Sequence, residues 1–155
     1  MLHERLAEYL AAVETAVKQL ADGYVECYEE EILTPERVNL RLRIRFSTGY
    51  LLEVNEALVV TGGVLQALGY RYHCQDGHHA LVFRYDNTPH FADLPSFPDH
   101  KHLPDWVVAA AKPVLVQVIE EAAALARPES LRRVATATGY NDRVMQLLPH
   151  LRKLL

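Results

Sequence analysis

The sequence predicts an α+β fold, in which an antiparallel meander of about five strands is flanked by an N-terminal helix and by C-terminal helices. Three observations predict it. Apolar residues follow a helical spacing near the N terminus, they alternate with polar residues in several stretches between residues 24 and 85, and turn residues separate those stretches. No stretch between the turns is long enough for a crossover helix, so neighbouring strands are expected to be antiparallel.

The first predicted element is an amphipathic helix over roughly 2–21. Leu6, Leu10 and Val13 recur on one side of it, whereas its glutamates lie on other sides. The Asp-Gly pair at residues 22–23 is a common helix stop.

The clearest predicted strand covers residues 38–46, where apolar side chains alternate with one asparagine and three arginines. This pattern is typical of a strand with one buried face and one solvent face. An Asp-Gly pair at residues 76–77 marks a hairpin turn. The remaining predicted strands cover residues 24–33, 50–60, 68–74 and 80–85.

Helices are predicted after the strands. Residues 106–126 are helical in composition, and Pro113 within them predicts a kink or a late start. A Pro-containing break follows, and a further short helix is expected over about 131–138. The chain therefore divides into an α+β core, residues 1–127, and a basic helical extension, residues 128–155.

The composition is that of one globular domain. The chain has 155 residues, of which 50% are hydrophobic and 23% are charged. No apolar run reaches the roughly 18 residues of a membrane span, and the N terminus lacks the layout of a signal peptide. Cys27 and Cys74 lie far apart without CxxC spacing, so we expect two reduced thiols in a cytoplasmic protein that contacts no membrane.

The segment RYDNTPHFADLPSFPDHKH, residues 84–102, concentrates the chemistry. It contains three Asp, three His, an Asn, an Arg, a Lys and three Pro. So many polar groups cannot be buried without partners, and the segment is therefore expected to be a Pro-rich loop after the last strand. Metal binding, acid–base catalysis and a structural role are the competing interpretations.

A metal site would use imidazoles and carboxylates from this loop. On an extended segment His100 and His102 point to the same face, and His90, Asp86 and Asp99 offer further ligands. The lysine between the two histidines and the lack of a second such signature disfavour a metal. We therefore expect no metal and no other cofactor.

Acid–base catalysis would use the same histidines, because imidazole can take and give a proton near neutral pH. Arg84 and Lys101 could stabilise a phosphate or a pentavalent intermediate. Such a loop would form a metal-independent ribonuclease site or a phosphate-binding surface that performs no reaction. In the structural interpretation, Asp86 and Asn87 cap a turn and the histidines pack against aromatic residues. The clustering of these residue types on one loop favours function.

The string YRYHCQDGHHALVFRYDNTPHFADLPSFPDHKH, residues 70–102, resembles the TumE-type toxins of prokaryotic toxin–antitoxin systems. The family pattern has a Tyr-His strand, a Gln-Asp turn, a strand ending in Arg-Tyr-Asp-Asn, a Pro-His pair and a final Phe-Pro-x-His-Lys-His. The matching residues are Tyr72, His73, Gln75, Asp76, Arg84, Tyr85, Asp86, Asn87, Pro89, His90, Phe97, Pro98, His100, Lys101 and His102. The strand LEVNE, residues 52–56, also matches through its Glu56. Phe91 and Asp99 stand where many relatives have histidine.

This resemblance covers about residues 22–105 and implies a toxin with a cognate antitoxin and with RNA as a candidate target. It does not supply a reaction. The working residues that we predict lie in the loop or approach it from the sheet. They are Arg84, Asp86, His90, His100, Lys101, His102, Glu56 and His73.

The C-terminal extension predicts a second kind of function. Residues 127–155 contain six basic and two acidic residues, although the whole chain carries a net charge of −4. Their apolar spacing matches an abbreviated helix-turn-helix, in which Arg132, Arg133 and Arg143 would contact phosphates of DNA. The same spacing also fits two short helices that only pack on the core. A non-enzymatic module that binds nucleic acid or a partner protein is therefore the alternative function, and the sheet edges suggest a homodimer.

Overall fold

The computed structural model describes residues 1–129, which form one antiparallel sheet with two helices on one of its faces. The seven strands follow one another in chain order, each antiparallel to the next. The elements are α1 (Glu4–Lys18), β1 (Gly23–Thr34), β2 (Arg37–Phe46), β3 (Leu51–Thr61), β4 (Val64–Gln75), β5 (Leu81–Asp86), β6 (His100–His102), β7 (Val107–Ala109) and α2 (Leu115–Leu125). The predicted α+β meander is confirmed, with seven strands in place of about five.

Strand alternation gives the sheet two unlike faces. In β2 the apolar residues are buried, whereas the arginines between them are exposed or half-buried. The helix face is the one that bears Leu40, Leu42 and Val54 and that α1 and α2 cover. The open face is the opposite one, which bears Arg41 and Arg43. Because each strand alternates, one residue of shift would move a whole side-chain set from one face to the other.

The two additional strands come from segments that were predicted as loop and helix. β6 lies inside the Pro-rich loop, and its three residues are too few to display alternation in the sequence. β7 lies inside the predicted helix 106–126, so that prediction is wrong before Leu115. Pro113 lacks a backbone N–H, and the late start that it predicted is confirmed.

Residues 130–155, almost the whole extension, lie outside the described residues. The short helix expected over 131–138 and the phosphate contacts expected of Arg132, Arg133 and Arg143 therefore stay predictions. The homodimer also stays a prediction. Within the described part of the chain, no helix is long and apolar enough to cross a membrane.

Neither cysteine forms a disulfide, as the sequence predicted. Cys74 is fully buried on the helix face, and burial raises the pKa of its thiol to about 12. Cys27 on β1 is partly exposed.

A buried ion pair fastens β6 to α2. The Lys101 Nζ atom lies 2.6 Å from Glu121 Oε1, and the Tyr85 hydroxyl donates to Glu121 Oε2 at 2.9 Å. The ammonium also lies 4.5 Å from the centre of the Tyr85 ring, which is cation–π range. Burial lowers the pKa of Lys101 and raises the pKa of Glu121, while their mutual attraction opposes both shifts.

We expect Glu121→Gln to lower the free energy of unfolding by about 3 kcal/mol, because it leaves the buried Lys101 ammonium without a counter-charge. Adding Lys101→Met should recover most of that loss, since the glutamine oxygen still accepts from Tyr85. Urea unfolding of the single and double variants measures both effects.

The exposed pair Lys18–Glu14, with a 2.8 Å separation on α1, is the matched control. Glu14→Gln should change stability by about 0.5 kcal/mol or less. Equal losses in Glu14→Gln and Glu121→Gln would contradict the anchoring role of the buried pair.

Candidate functional site

The structure divides the eight predicted site residues between the two faces of the sheet. Glu56 on β3 and Lys101 on β6 lie on the helix face, where both are buried. The open face or the loop beside it carries the other six, which are His73, Arg84, Asp86, His90, His100 and His102. Strand alternation alone separates Lys101 from its two neighbouring histidines.

The histidine cluster consists of Asp86, His90, His100 and His102. One side-chain nitrogen or oxygen of each residue lies within 4.8 Å of the others. The two Nε2 atoms of His100 and His102 are 3.0 Å apart. Asp86 Oδ1 lies 3.2 Å from His100 Nε2, and Asp86 Oδ2 lies 3.5 Å from His102 Nε2. The prediction that the two β6 histidines share a face is confirmed.

Backbone pairing assembles three members of the cluster. Asp86 ends β5 directly opposite His100, and Arg84 lies opposite His102. Asp86 is 3% exposed and His100 is fully buried, so both form the floor of the cluster. The backbone N–H of Thr88 donates to Asp86 Oδ1 at 3.0 Å and fixes the carboxylate.

The loop between β5 and β6 supplies the fourth member. His90 is exposed, and its ring centre lies 4.6 Å from that of Phe91 and 5.1 Å from that of His100. Phe91 also lies edge-on to His100, with ring centres 4.9 Å apart. Phe91 stands where many relatives were expected to have histidine. Its ring provides an apolar wall for the imidazoles.

Arg84 donates into the cluster from β5. Its Nε donates to Asp86 Oδ2 at 2.9 Å, and its Nη2 lies 2.9 Å from His102 Nε2. Because arginine has only N–H donors, His102 Nε2 must accept, which places the proton of neutral His102 on Nδ1. Likewise His100 Nδ1 donates to the Pro98 carbonyl oxygen at 2.9 Å.

The electrostatics favour an ionised Asp86 beside a neutral His102. Burial opposes ionisation of Asp86, but hydrogen bonds from Thr88, the electrostatic attraction of His100 and a hydrogen bond from Arg84 outweigh burial and lower its pKa. Burial, followed by the charge of Arg84, lowers the pKa of His102. The cluster therefore presents an ionised carboxylate beside the lone pair of a neutral His102.

His73 lies on the open face of β4, opposite Arg84 across the β4–β5 ladder. Its Nδ1 is buried and has no hydrogen-bond partner among residues 1–129. Burial, followed by the charge of Arg71, lowers its pKa. His73 is thus a neutral imidazole that flanks the cluster but is not one of its four members.

The other carboxylates considered as site residues have structural partners elsewhere. Glu56 accepts hydrogen bonds from the hydroxyls of Tyr9, at 2.6 Å, and Tyr72, and Lys112 Nζ lies 3.3 Å from it. These contacts join α1 and the segment before α2 to the helix face. Asp99 accepts from the Tyr70 hydroxyl at 2.7 Å and is not part of the histidine cluster.

Sequence reasoning did not select Arg71. This exposed arginine of β4 lies opposite Asp86 of β5. It lines a groove of about 560 Å³ together with Asn55, Asn87 and Thr88. Part of the signal was present in the sequence, because Arg71 and His73 alternate with apolar residues and so share the polar face of their strand. Arg71 is thus the strand neighbour of Asp86 on β4, whereas the Arg84 guanidinium contacts the Asp86 carboxylate directly.

The arrangement combines cation-accepting and anion-accepting groups. Imidazole lone pairs and a carboxylate converge at one point, where they can hold a proton or a metal ion. Arginine side chains beside them can bind a phosphate or a carboxylate.

The family model for toxin TumE matches residues 12–126. The matched region covers most of the chain and contains the whole histidine cluster, whereas the basic extension lies beyond it. No curated protein and no solved structure matches this chain. The chain belongs to the TumE toxin family.

Proposed function

We propose that this TumE-family protein is the toxin of a toxin–antitoxin pair and that its histidine cluster, with Arg84, acts on phosphodiester bonds of RNA. One observation carries the proposal. Three imidazoles, an ionised carboxylate and a guanidinium converge on the open face of a chain that belongs to a toxin family.

Cleavage of RNA needs a group that accepts a proton from the attacking hydroxyl and a positive charge near the phosphate. The cluster supplies lone pairs that can accept the proton or hold an activating cation. Arg84, whose guanidinium contacts Asp86, and Arg71, which lies opposite Asp86 on the neighbouring strand, would supply the positive charge. His90 is the exposed member, and it is therefore the imidazole that an incoming substrate meets first.

The groove beside the cluster supports a polymeric substrate. It is lined by Arg71, Asn55 and Asn87, which offer donors to phosphate and base edges, and also by the carboxylates of Glu29 and Glu31 at its far side. A single-stranded RNA suits such a surface better than a rigid duplex, because its backbone can follow the groove.

Membership of a toxin family also supports a cognate antitoxin as partner. We propose that this antitoxin covers the open face, since blocking the histidine cluster would silence the toxin directly.

We retain the alternative function, in which the protein binds nucleic acid without catalysis through its extension. The excess of basic residues after residue 126 favours it. DNA or RNA binding through Arg132, Arg133 and Arg143 would then be independent of the cluster.

We expect expression of the protein without an antitoxin to arrest growth and degrade RNA, and His90→Ala to abolish both effects. His90 is exposed, so its loss should leave the fold intact. A lost acid–base group typically lowers the rate by about 10²–10⁴-fold. Growth curves and RNA integrity measure the effects, and the double variant His100→Ala/His102→Ala should behave in the same way.

His78→Ala is the matched control, because His78 is an exposed histidine of the β4–β5 turn. It should arrest growth as the unaltered protein does. Undiminished toxicity of both His90→Ala and the double variant would refute the role of the cluster. Growth arrest with intact RNA would keep the toxin and reject RNA cleavage.

Arg71→Gln should weaken binding of a single-stranded RNA about equally for all sequences and reduce the salt dependence by about one phosphate contact. Fluorescence anisotropy over a range of salt concentrations measures this, with His90→Ala as the background so that the RNA stays intact. Arg5→Gln, on an exposed α1 arginine, is the control and should change neither quantity. Equal effects of the two substitutions would contradict RNA binding in the groove.

The alternative function predicts that deletion of residues 128–155 abolishes nucleic-acid binding and that His90→Ala does not. Electrophoretic mobility shifts with DNA and RNA distinguish the two. Binding that is unchanged by the deletion and insensitive to salt would contradict this alternative.

A further inference from the structure

We propose that the histidine cluster is a binding site for one divalent transition-metal ion, with Asp86, His90, His100 and His102 as ligands and Zn²⁺ as the representative ion. This inference deepens the proposed function, because it names the cation that the cluster would hold. It departs from the metal-free site that the sequence predicted. Among residues 1–129, no other group of three or more His, Cys, Asp or Glu side chains converges in this way.

The distances within the cluster are those of a coordination sphere. Zn–N bonds of about 2.0–2.1 Å in a tetrahedral arrangement separate neighbouring ligand atoms by about 3.3 Å. The Nε2 atoms of His100 and His102 and the Asp86 oxygens are separated by 3.0 to 3.5 Å. His90 lies within 4.8 Å of them and needs only a small loop movement to complete the set.

The tautomers are also those of metal ligands. His100 Nδ1 donates to the Pro98 carbonyl oxygen, so the lone pair of a neutral His100 is on Nε2 and faces the cluster. Metal-binding histidines commonly donate their second ring N–H to a carbonyl in this manner. The His102 Nε2 also carries a lone pair, because it accepts from Arg84. Two such lone pairs 3.0 Å apart repel each other unless a cation, a proton or a metal ion, lies between them.

The first of the two objections that the sequence raised against a metal, the lysine between the histidines, does not apply in the fold. Lys101 lies between the two histidines in the chain, but its Nζ is bound to Glu121 on the opposite face of the sheet. Its charge is therefore directed away from the ligand atoms and neutralised by a carboxylate. The rings of His100 and His102 pack at steep angles to Phe91, with ring centres 4.9 and 5.6 Å from its own, and Phe91 shields the cluster on that side.

Arg84 would compete with a metal ion for the lone pair of His102. Its Nη2 donates to the same His102 lone pair that a metal would use, at 2.9 Å. Its positive charge also weakens binding of a divalent cation at Asp86. A bound metal would displace this donor from His102 and leave the guanidinium available for an anion, such as a phosphate of RNA.

The test is a titration of the untagged, chelator-treated full chain with Zn²⁺ by calorimetry, with Co²⁺ absorption as a second probe. We expect one ion per chain and the visible absorption of a four-coordinate Co²⁺ site. Loss of an outer-shell partner weakens metal binding by about 10- to 100-fold. His90→Ala removes a ligand and should weaken Zn²⁺ binding by more than that. Arg84→Gln should strengthen binding.

The exposed His78→Ala is the matched control and should bind as the unaltered chain does. Circular dichroism and thermal unfolding verify that each variant is folded. The absence of 1:1 binding would overturn the proposal, and so would equal affinity in His90→Ala. A loss in His78→Ala as large as that in His90→Ala would also overturn it, because it would indicate adventitious surface binding.

Metal binding and toxicity are measured on the same variants, so the two proposals fail separately. Stoichiometric binding that depends on His90, together with unchanged toxicity of His90→Ala, would keep the metal site and reject its role in toxicity. Toxicity that is lost in His90→Ala without any binding in the unaltered chain would reject the metal and keep the proposed function.

Discussion

The pairing of β6 with β5 is the constraint on which the site depends. Three residues of β6 place Lys101 on the helix face and two histidines on the open face, opposite Arg84 and Asp86. A slip by one residue would turn the lysine into the cluster and both imidazoles into the core. So short a strand is weakly held by its own hydrogen bonds, and the buried contact of Lys101 with Glu121 therefore fixes the register. The residue that looks catalytic in the sequence positions the residues around it.

The two faces of the sheet carry polar groups in different arrangements. On the helix face, the carboxylates of Glu56 and Glu121 are buried and each is neutralised or hydrogen-bonded by tyrosine and lysine. Such networks are costly to bury unless every partner is present, and here each carboxylate has one. On the open face, the imidazoles of His100 and His102 turn their nitrogens toward each other and toward Asp86. Arg84 and Thr88 donate to Asp86 and His102, but His100 Nε2 faces His102 and Asp86 without a donor of its own, which indicates a place for a cation or a proton.

Much of the fold could be predicted because long strands display their alternation. The alternation in residues 38–46 predicted a strand with one solvent-exposed face, and β2 is such a strand. β6 and β7 have three residues each, so no periodicity could identify them. Their existence depends on β5 offering an unpaired edge, which is a tertiary fact. The same limit explains the overlong helix prediction, because composition alone does not distinguish β7 from the helix that starts after Pro113.

The candidate site was partly predictable for a related reason. Residues that are two apart on one strand, such as His100 and His102 or Arg84 and Asp86, share a face by geometry alone. The approach of His90 depends on the path of the loop that follows Asn87, which local sequence does not determine. Arg71 could be placed beside Asp86 only once it was known that β4 pairs with β5. The face of Lys101 followed from alternation, but its partner on α2 could be found only in three dimensions.

The members of the histidine cluster differ in how deeply they are buried. Asp86 and His100 form a buried floor that backbone pairing and the Thr88 and Pro98 contacts hold in place. His90 is exposed and approaches the floor through ring contacts. The buried floor fixes the position of its own nitrogen and oxygen atoms, whereas His90 is accessible to solvent. Arg84 donates to both Asp86 and His102, so anything bound at these two groups would compete with this guanidinium. Under the proposed function, a cation held by the cluster would leave the positive charge of Arg84 available to a phosphate.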